Sequence, residues 1–227
     1  PTRAERRRVL SLPAAAGIGY SVAWIISVSV GAPNPSLAAP GAQVVAAFAG
    51  HAGSAMTMFA LAEGVAAAAL AIVVLSVATV ARRSGARLAG MAAAGFGIAA
   101  VVVSWIELCL GAWLIDGLVS GRRAATAGTV YHAINRLDGA KMFLLAAMAL
   151  AIAAVALRTV SLPRWLAWLG ILLAVSLVVS GLGYVLLAPG LAAAVYVSGV
   201  LLLAFVTSTG ITLRSLRVTP SVRRRSG

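Results

Sequence analysis

The stretch YHAINRLDGAKMFLLAAMALAIAAVAL, residues 131–157, decides how this chain is read. His132, Asn135, Arg136, Asp138 and Lys141 fall within its first eleven positions, and Met142 to Leu157 carries no charge at all. An uncharged run on that scale behaves as a membrane-spanning helix. A polar opening on such a helix is solvated, paired or functional, because ionisable groups inside a bilayer are costly.

Outward from this stretch the pattern repeats. The 227 residues are 62% hydrophobic and 10% charged, whereas soluble domains run near half apolar and about a quarter charged. Apolar runs predict spans at about 9–31, 54–81, 88–119, 131–157, 165–187 and 191–213, each near or above the ~20 residues a bilayer requires. No segment alternates apolar and polar residues as a membrane β-barrel would. The expected fold is therefore all-α: one transmembrane domain over residues 1–227, a polytopic bundle of six spans.

Prolines punctuate it. Pro33 and Pro35 stop the first span, since proline breaks the hydrogen-bond ladder and biases its predecessor away from helix. Ala42 to Ala49 reads as a short interfacial helix, Ser120 to Gly128 as a polar loop, and Pro189-Gly190 as a tight turn. Arginines ahead of the first apolar run mimic a secretion signal, but the run extends from Val9 to Gly31 and is read as a retained first span.

The net charge is +13, from 18 Lys+Arg against 5 Asp+Glu. Four arginines precede the first span, three lie between the second and third, two between the fourth and fifth, and five in the C-terminal tail. Fourteen of the eighteen basic residues thus gather on one face, which positive-inside counting assigns to the cytoplasm together with both termini. Arg122, Arg123, Arg136 and Lys141 fall on the other face or just inside it. The basic excess implies contact with anionic headgroups at the cytoplasmic face. Nucleic acid is not an expected partner, because no soluble domain is left to bind it. The single cysteine, Cys109, excludes an internal disulfide and a CxxC redox pair. Small-residue pairs such as Ala93/Gly97, Gly117/Gly121 and Ser176/Ser180 are suited to close helix packing.

Topology then groups the acids. Counting from the non-cytoplasmic ends of the second, third and fourth spans, Glu63 and Glu107 lie about nine residues deep and Asp138 about seven, a layer roughly 10–13 Å down. Asp116 is half a turn out of phase with Glu107 and is assigned to the interface. His132, Asn135 and Arg136 share a helix face beside Asp138 and are placed to orient the acids, while Lys141, three residues beyond Asp138, is spaced to pair with it. Tyr20, Trp24 and Trp105 are expected to line a cavity, where aromatic faces stabilise cations. The competing reading is architectural: Arg136 or Lys141 neutralises Glu63, Glu107 or Asp138 and locks the bundle. No Asp-rich diphosphate motif and no HExxH appear, and His51 and His132 alone do not make a haem signature, so neither a metal nor a cofactor is expected.

Two resemblances add to this. Ser161-Leu162-Pro163-Arg164-Trp165-Leu166-Ala167-Trp168-Leu169-Gly170 looks like the cytoplasmic turn of a large bacterial family of six- or seven-span proteins of unknown function. That likeness implies a fold and residence in the bacterial inner membrane. The length, the helix number and the isolated acids are similar to those of small integral-membrane terpene cyclases. This second likeness implies metal-independent, cation-driven cyclisation started by a carboxylic acid, with Glu63 at the matching position. The expected function is a membrane-embedded enzyme on a lipophilic isoprenoid substrate. Glu63 would be the acid protonating an alkene or epoxide, and Glu107 or Asp138 its partner base. The alternatives are a proton-coupled small-molecule transporter and a structural or sensory membrane subunit.

Overall fold

The computed structural model describes residues 3–119 and 124–215. Gly121, Arg122, Arg123 and the tail arginines beyond residue 215 lie outside the described residues, so the expectations placed on them stay with the sequence. Among the described residues six helical spans are long and apolar enough to cross a membrane, and this is a multi-pass membrane protein. They are α1 (Arg3–Ser29), the continuous rod α3–π–α4 (Ala52–Phe59, Ala60–Ala66, Ala67–Arg83), α5 (Arg87–Val119), α6 (Ala124–Arg158), α7 (Arg164–Val185), and α8 with α9 (Pro189–Ala192, Val195–Ser215). A short helix, α2 (Gly41–Phe48), fills the role expected of residues 42–49.

The spans close into a ring in which α1, α4, α5, α6, α7 and α9 each pack against the next, and α9 returns to α1. α1 and α9 meet antiparallel through glycines. A Cβ on Gly210 would lie 2.4 Å from the Pro13 carbonyl oxygen, and one on Gly17 would lie 2.9 Å from that of Val206. Where lipid supplies no hydrophobic drive for association, such backbone approach is what holds helices together. The same device joins α6 to α7: a Cβ on Gly139 would lie 2.8 Å from the Gly181 carbonyl oxygen.

Several boundaries differ from expectation for identifiable reasons. The fourth span starts at Ala124 rather than Tyr131. Thr126 and Gly128 read as loop, yet Gly128 sits inside the helix with α2 pressed against it: a Cβ there would lie 2.9 Å from the Gly41 nitrogen. The Pro189-Gly190 turn is instead the start of α8, and the chain reverses just before it, where Leu187 takes φ 52°. Trp165 and Trp168, at the start of α7, are exposed as interface anchors would be. The second span is not α-helical throughout. Ala60–Ala66 winds as a π-helix between α1 and α5, a rare geometry found mostly at functional sites.

Two apolar cores fill the ring. One, toward the chain termini, contains Val74, Val77, Met148, Ile152, Leu173 and Phe205, all essentially inaccessible. The other, toward α2, contains Val44, Phe48, Phe59, Leu114, Tyr131 and Ile134. The ionisable residues of the π-helix, α5 and α6 occupy the level between them.

Candidate functional site: a lysine among three carboxyls

Glu63 lies eleven residues from Ala52, Glu107 twelve from Val119 and Asp138 fourteen from Ala124, so the three acids lie at similar depths, somewhat deeper than expected for Glu63 and Glu107 and about two turns deeper for Asp138. Buried apolar neighbours flank each position along its own helix: Phe59 and Ala67, Ala100 and Leu114, Ile134 and Leu145. Their carboxylate oxygens lie within 4.8 Å of one another.

Lys141 organises them. Its ammonium donates to Glu63 Oε2 at 2.8 Å and Glu107 Oε2 at 2.5 Å, and its Nζ lies 2.9 Å from Asp138 Oδ1. An ammonium has three N–H groups and no acceptor, so each carboxyl receives one. The tetrad ties the second, third and fourth spans together from a single side chain. Asp138 and Lys141 are brought onto one face by their i, i+3 spacing. Ser104, one turn before Glu107, faces Glu63.

Exposure is graded across the tetrad. The side chain of Glu107 is 2% accessible, Lys141 10%, Glu63 17% and Asp138 26%. Glu107 is therefore the back of the site, and its Oε1 is buried without a hydrogen-bond partner. Glu63 and Asp138, the more accessible pair, form the front. Tyr20, buried on α1, is within electrostatic reach of Lys141, Glu63 and Asp138, and Tyr184 on α7 is within reach of Asp138. Trp24, one turn beyond Tyr20, is half-buried against Gly199 of α9.

Four expected site residues go elsewhere. His132 and Asn135 do not orient the acids: His132 Nε2 lies 3.0 Å from the Ala39 carbonyl, and the Asn135 amide donates to the Leu37 carbonyl at 3.3 Å. Tyr131 joins them by donating to the Pro35 carbonyl at 2.7 Å. α6 thus holds the strap 33–39, which turns at Leu37-Ala38 with the Ala39 amide donating to the Ser36 carbonyl, by three anchors. Arg136 is exposed, off the tetrad face. Trp105 is 50% accessible and faces outward, not into a cavity. Asp116 is exposed, in keeping with its phase.

The architectural expectation had named Lys141 as a candidate clamp, and that pairing is present, with all three acids at once. Long-range convergence of α1 and the π-helix on Lys141 has no signature in local spacing. Comparison with protein-family models, with curated proteins and with solved structures returns no match.

Proposed function

We propose that the tetrad is an acid–base site for a lipophilic substrate drawn from the bilayer, and that its reaction class is cyclisation or isomerisation of an isoprenoid begun by protonation of an alkene or epoxide. The observation that carries this reading is the charge count: three carboxyls surround one ammonium in a water-poor layer. Uncompensated buried charge costs several kcal/mol per ion, so two protons, or an added cation, balance the site. Protons in such a group belong to the cluster as a whole rather than to one residue.

The graded exposure divides the roles. Glu63 and Asp138, at the front, supply and recover the proton. The carboxyl O–H bond breaks as a C–H or O–H bond forms on the substrate, and a proton lost from the carbon next to the resulting cation restores the second carboxyl. Atoms and charge balance without an oxidant. Tyr20 and Trp24 present aromatic faces to a cation on this path. Glu107, enclosed at the back, is a positioning residue that fixes the Lys141 ammonium.

Purified protein offered polyprenyl alkenes in D₂O is expected to release products carrying one deuterium at a carbon that was not exchangeable in the substrate, and polyprenyl epoxides are expected to give ring-closed alcohols, read by mass spectrometry and NMR. Glu63→Gln and Asp138→Asn are each expected to lower turnover by about 10²-fold or more, the contribution usual for a general acid or base. Full turnover by both variants at normal folded yield removes the assignment.

A second reading is proton-coupled transport, favoured by the π-helix that carries Glu63 at mid-span, since transporters place ion sites on irregular helices. The packed apolar core toward the termini weighs against it, because a carried substrate must pass that level.

A further inference from the structure

The turn that joins α6 to α7 bounds a cleft of about 510 Å³, lined by residues 157–160 and 162–164. Its walls are held in place. The Thr159 hydroxyl donates to the Val155 carbonyl at 2.9 Å and accepts from the Ser161 amide at 3.3 Å. Leu162 is buried in the core toward the chain termini, and Pro163, in an extended conformation, starts α7. Arg158 is the last residue of α6 and Arg164 the first of α7, so two exposed guanidinium side chains flank one cleft. Among the described residues no acid lines it. No side chain caps the first turn of α7, and the positive end of that helix dipole adds to the charge of the two arginines.

The cleft also stands at a defined depth. Leu157 ends the uncharged run of α6, and Trp165 and Trp168 are exposed in the first turns of α7. Tryptophan rings favour the level of the lipid headgroups, which places the cleft beside phosphates rather than beside acyl chains. Its volume falls in the range of small-ligand sites, roughly 300–1,000 Å³. Guanidinium forks match the oxygens of a phosphate in charge and spacing. We infer that this cleft is a binding site for the headgroup of an anionic phospholipid, whose phosphate is held by Arg158 and Arg164. Such a site is independent of the acid–base chemistry at the tetrad. It localises at one turn a headgroup contact that the sequence spreads over a whole face.

The test uses the full chain in a nonionic detergent at pH 7 and counts bound lipid by native mass spectrometry during titration. The probes are phosphatidylglycerol, phosphatidylcholine with the same acyl chains, and glycerol 3-phosphate as the free headgroup. One phosphatidylglycerol per chain is expected to bind about tenfold or more tighter than phosphatidylcholine, since each basic side chain near a headgroup contributes about 1 kcal/mol. Arg158→Gln and Arg164→Gln are each expected to lower that preference about fivefold, and the double variant to abolish it. Both side chains are exposed, so Tm without lipid is expected to stay unchanged. Arg82→Gln/Arg83→Gln, at the α4–α5 turn, removes the same charge and is expected to change the preference by less than about twofold, as exposed charges farther apart than a Debye length are screened. Equal binding of the two lipids overturns the inference. So does an equal loss in the Arg158/Arg164 and Arg82/Arg83 double variants, which marks attraction spread over the basic surface. Glycerol 3-phosphate binding as tightly as phosphatidylglycerol overturns the lipid assignment in favour of a soluble phosphate.

Discussion

At the scale of the residue, the protein turns on Lys141. A lysine ammonium gives three donors in a tripod, and here each meets a carboxyl from a different position in the chain. Arginine has five donors, but they lie in one plane, and three carboxyls arranged around a point do not present a planar edge. Lys141→Met is expected to leave three buried acids without a counter-charge and to destabilise the fold by about 3–5 kcal/mol. Lys141→Arg is expected to recover less than half of that loss. Thermal unfolding in detergent measures both, and a Lys141→Met protein with wild-type Tm would show that the tetrad holds nothing together. At this scale the acids were legible in the sequence, because isolated carboxyls in apolar runs stand out. The outward placement of Trp105 and Arg136 overturns the expectation that they serve the site, and helix phase supplies the reason. Each lies two residues before a tetrad acid, about 200° around the helix, so neither shares the face of Glu107 or Asp138. The central place of Lys141 was not legible, since only its contact with Asp138 is local.

At the scale of the element, α6 does two jobs along one helix. Its opening turns carry the strap through Tyr131, His132 and Asn135, and its middle carries Asp138 and Lys141. The polar opening that first marks this helix in the sequence therefore splits into a structural half and a site half about one turn apart. Partners nearly a hundred residues away in the chain explain why spacing alone assigned His132 and Asn135 to the acids. Each side-chain anchor contributes about 1 kcal/mol. The double variant Tyr131→Phe/Asn135→Ala is thus expected to loosen the strap without unfolding the bundle. Hydrogen exchange should rise at the Ala39 amide, which donates to the Ser36 carbonyl, while amides of α7 keep their protection. Uniform acceleration across all helices would contradict a local role. The π-helix left no mark in the sequence. Ala60, Ala62, Gly64 and Ala66 fit α and π winding alike, and only packing against α1 and α5 distinguishes them.

At the scale of the whole molecule, the six spans were readable from hydropathy and the punctuation of prolines, and so was a common layer for the acids, whereas the closure of the spans into a ring was not. Even numbers of antiparallel spans bring helix ends into register, so counting residues from one face located the layer before any contact was known. The layer separates two apolar cores, and the ring contributes Tyr20, Glu63, Glu107, Asp138 and Tyr184 from five of its six spans. Such an arrangement concentrates the acidic excess within the bundle at one height. Infrared difference spectroscopy of the purified protein at pH 7, comparing the natural chain with Glu63→Gln and Asp138→Asn in H₂O and D₂O, reads that charge directly. The account predicts a protonated-carboxyl C=O band that moves on deuteration and is lost or diminished in at least one of the variants. A spectrum containing only carboxylate bands, unchanged by either substitution, would contradict it.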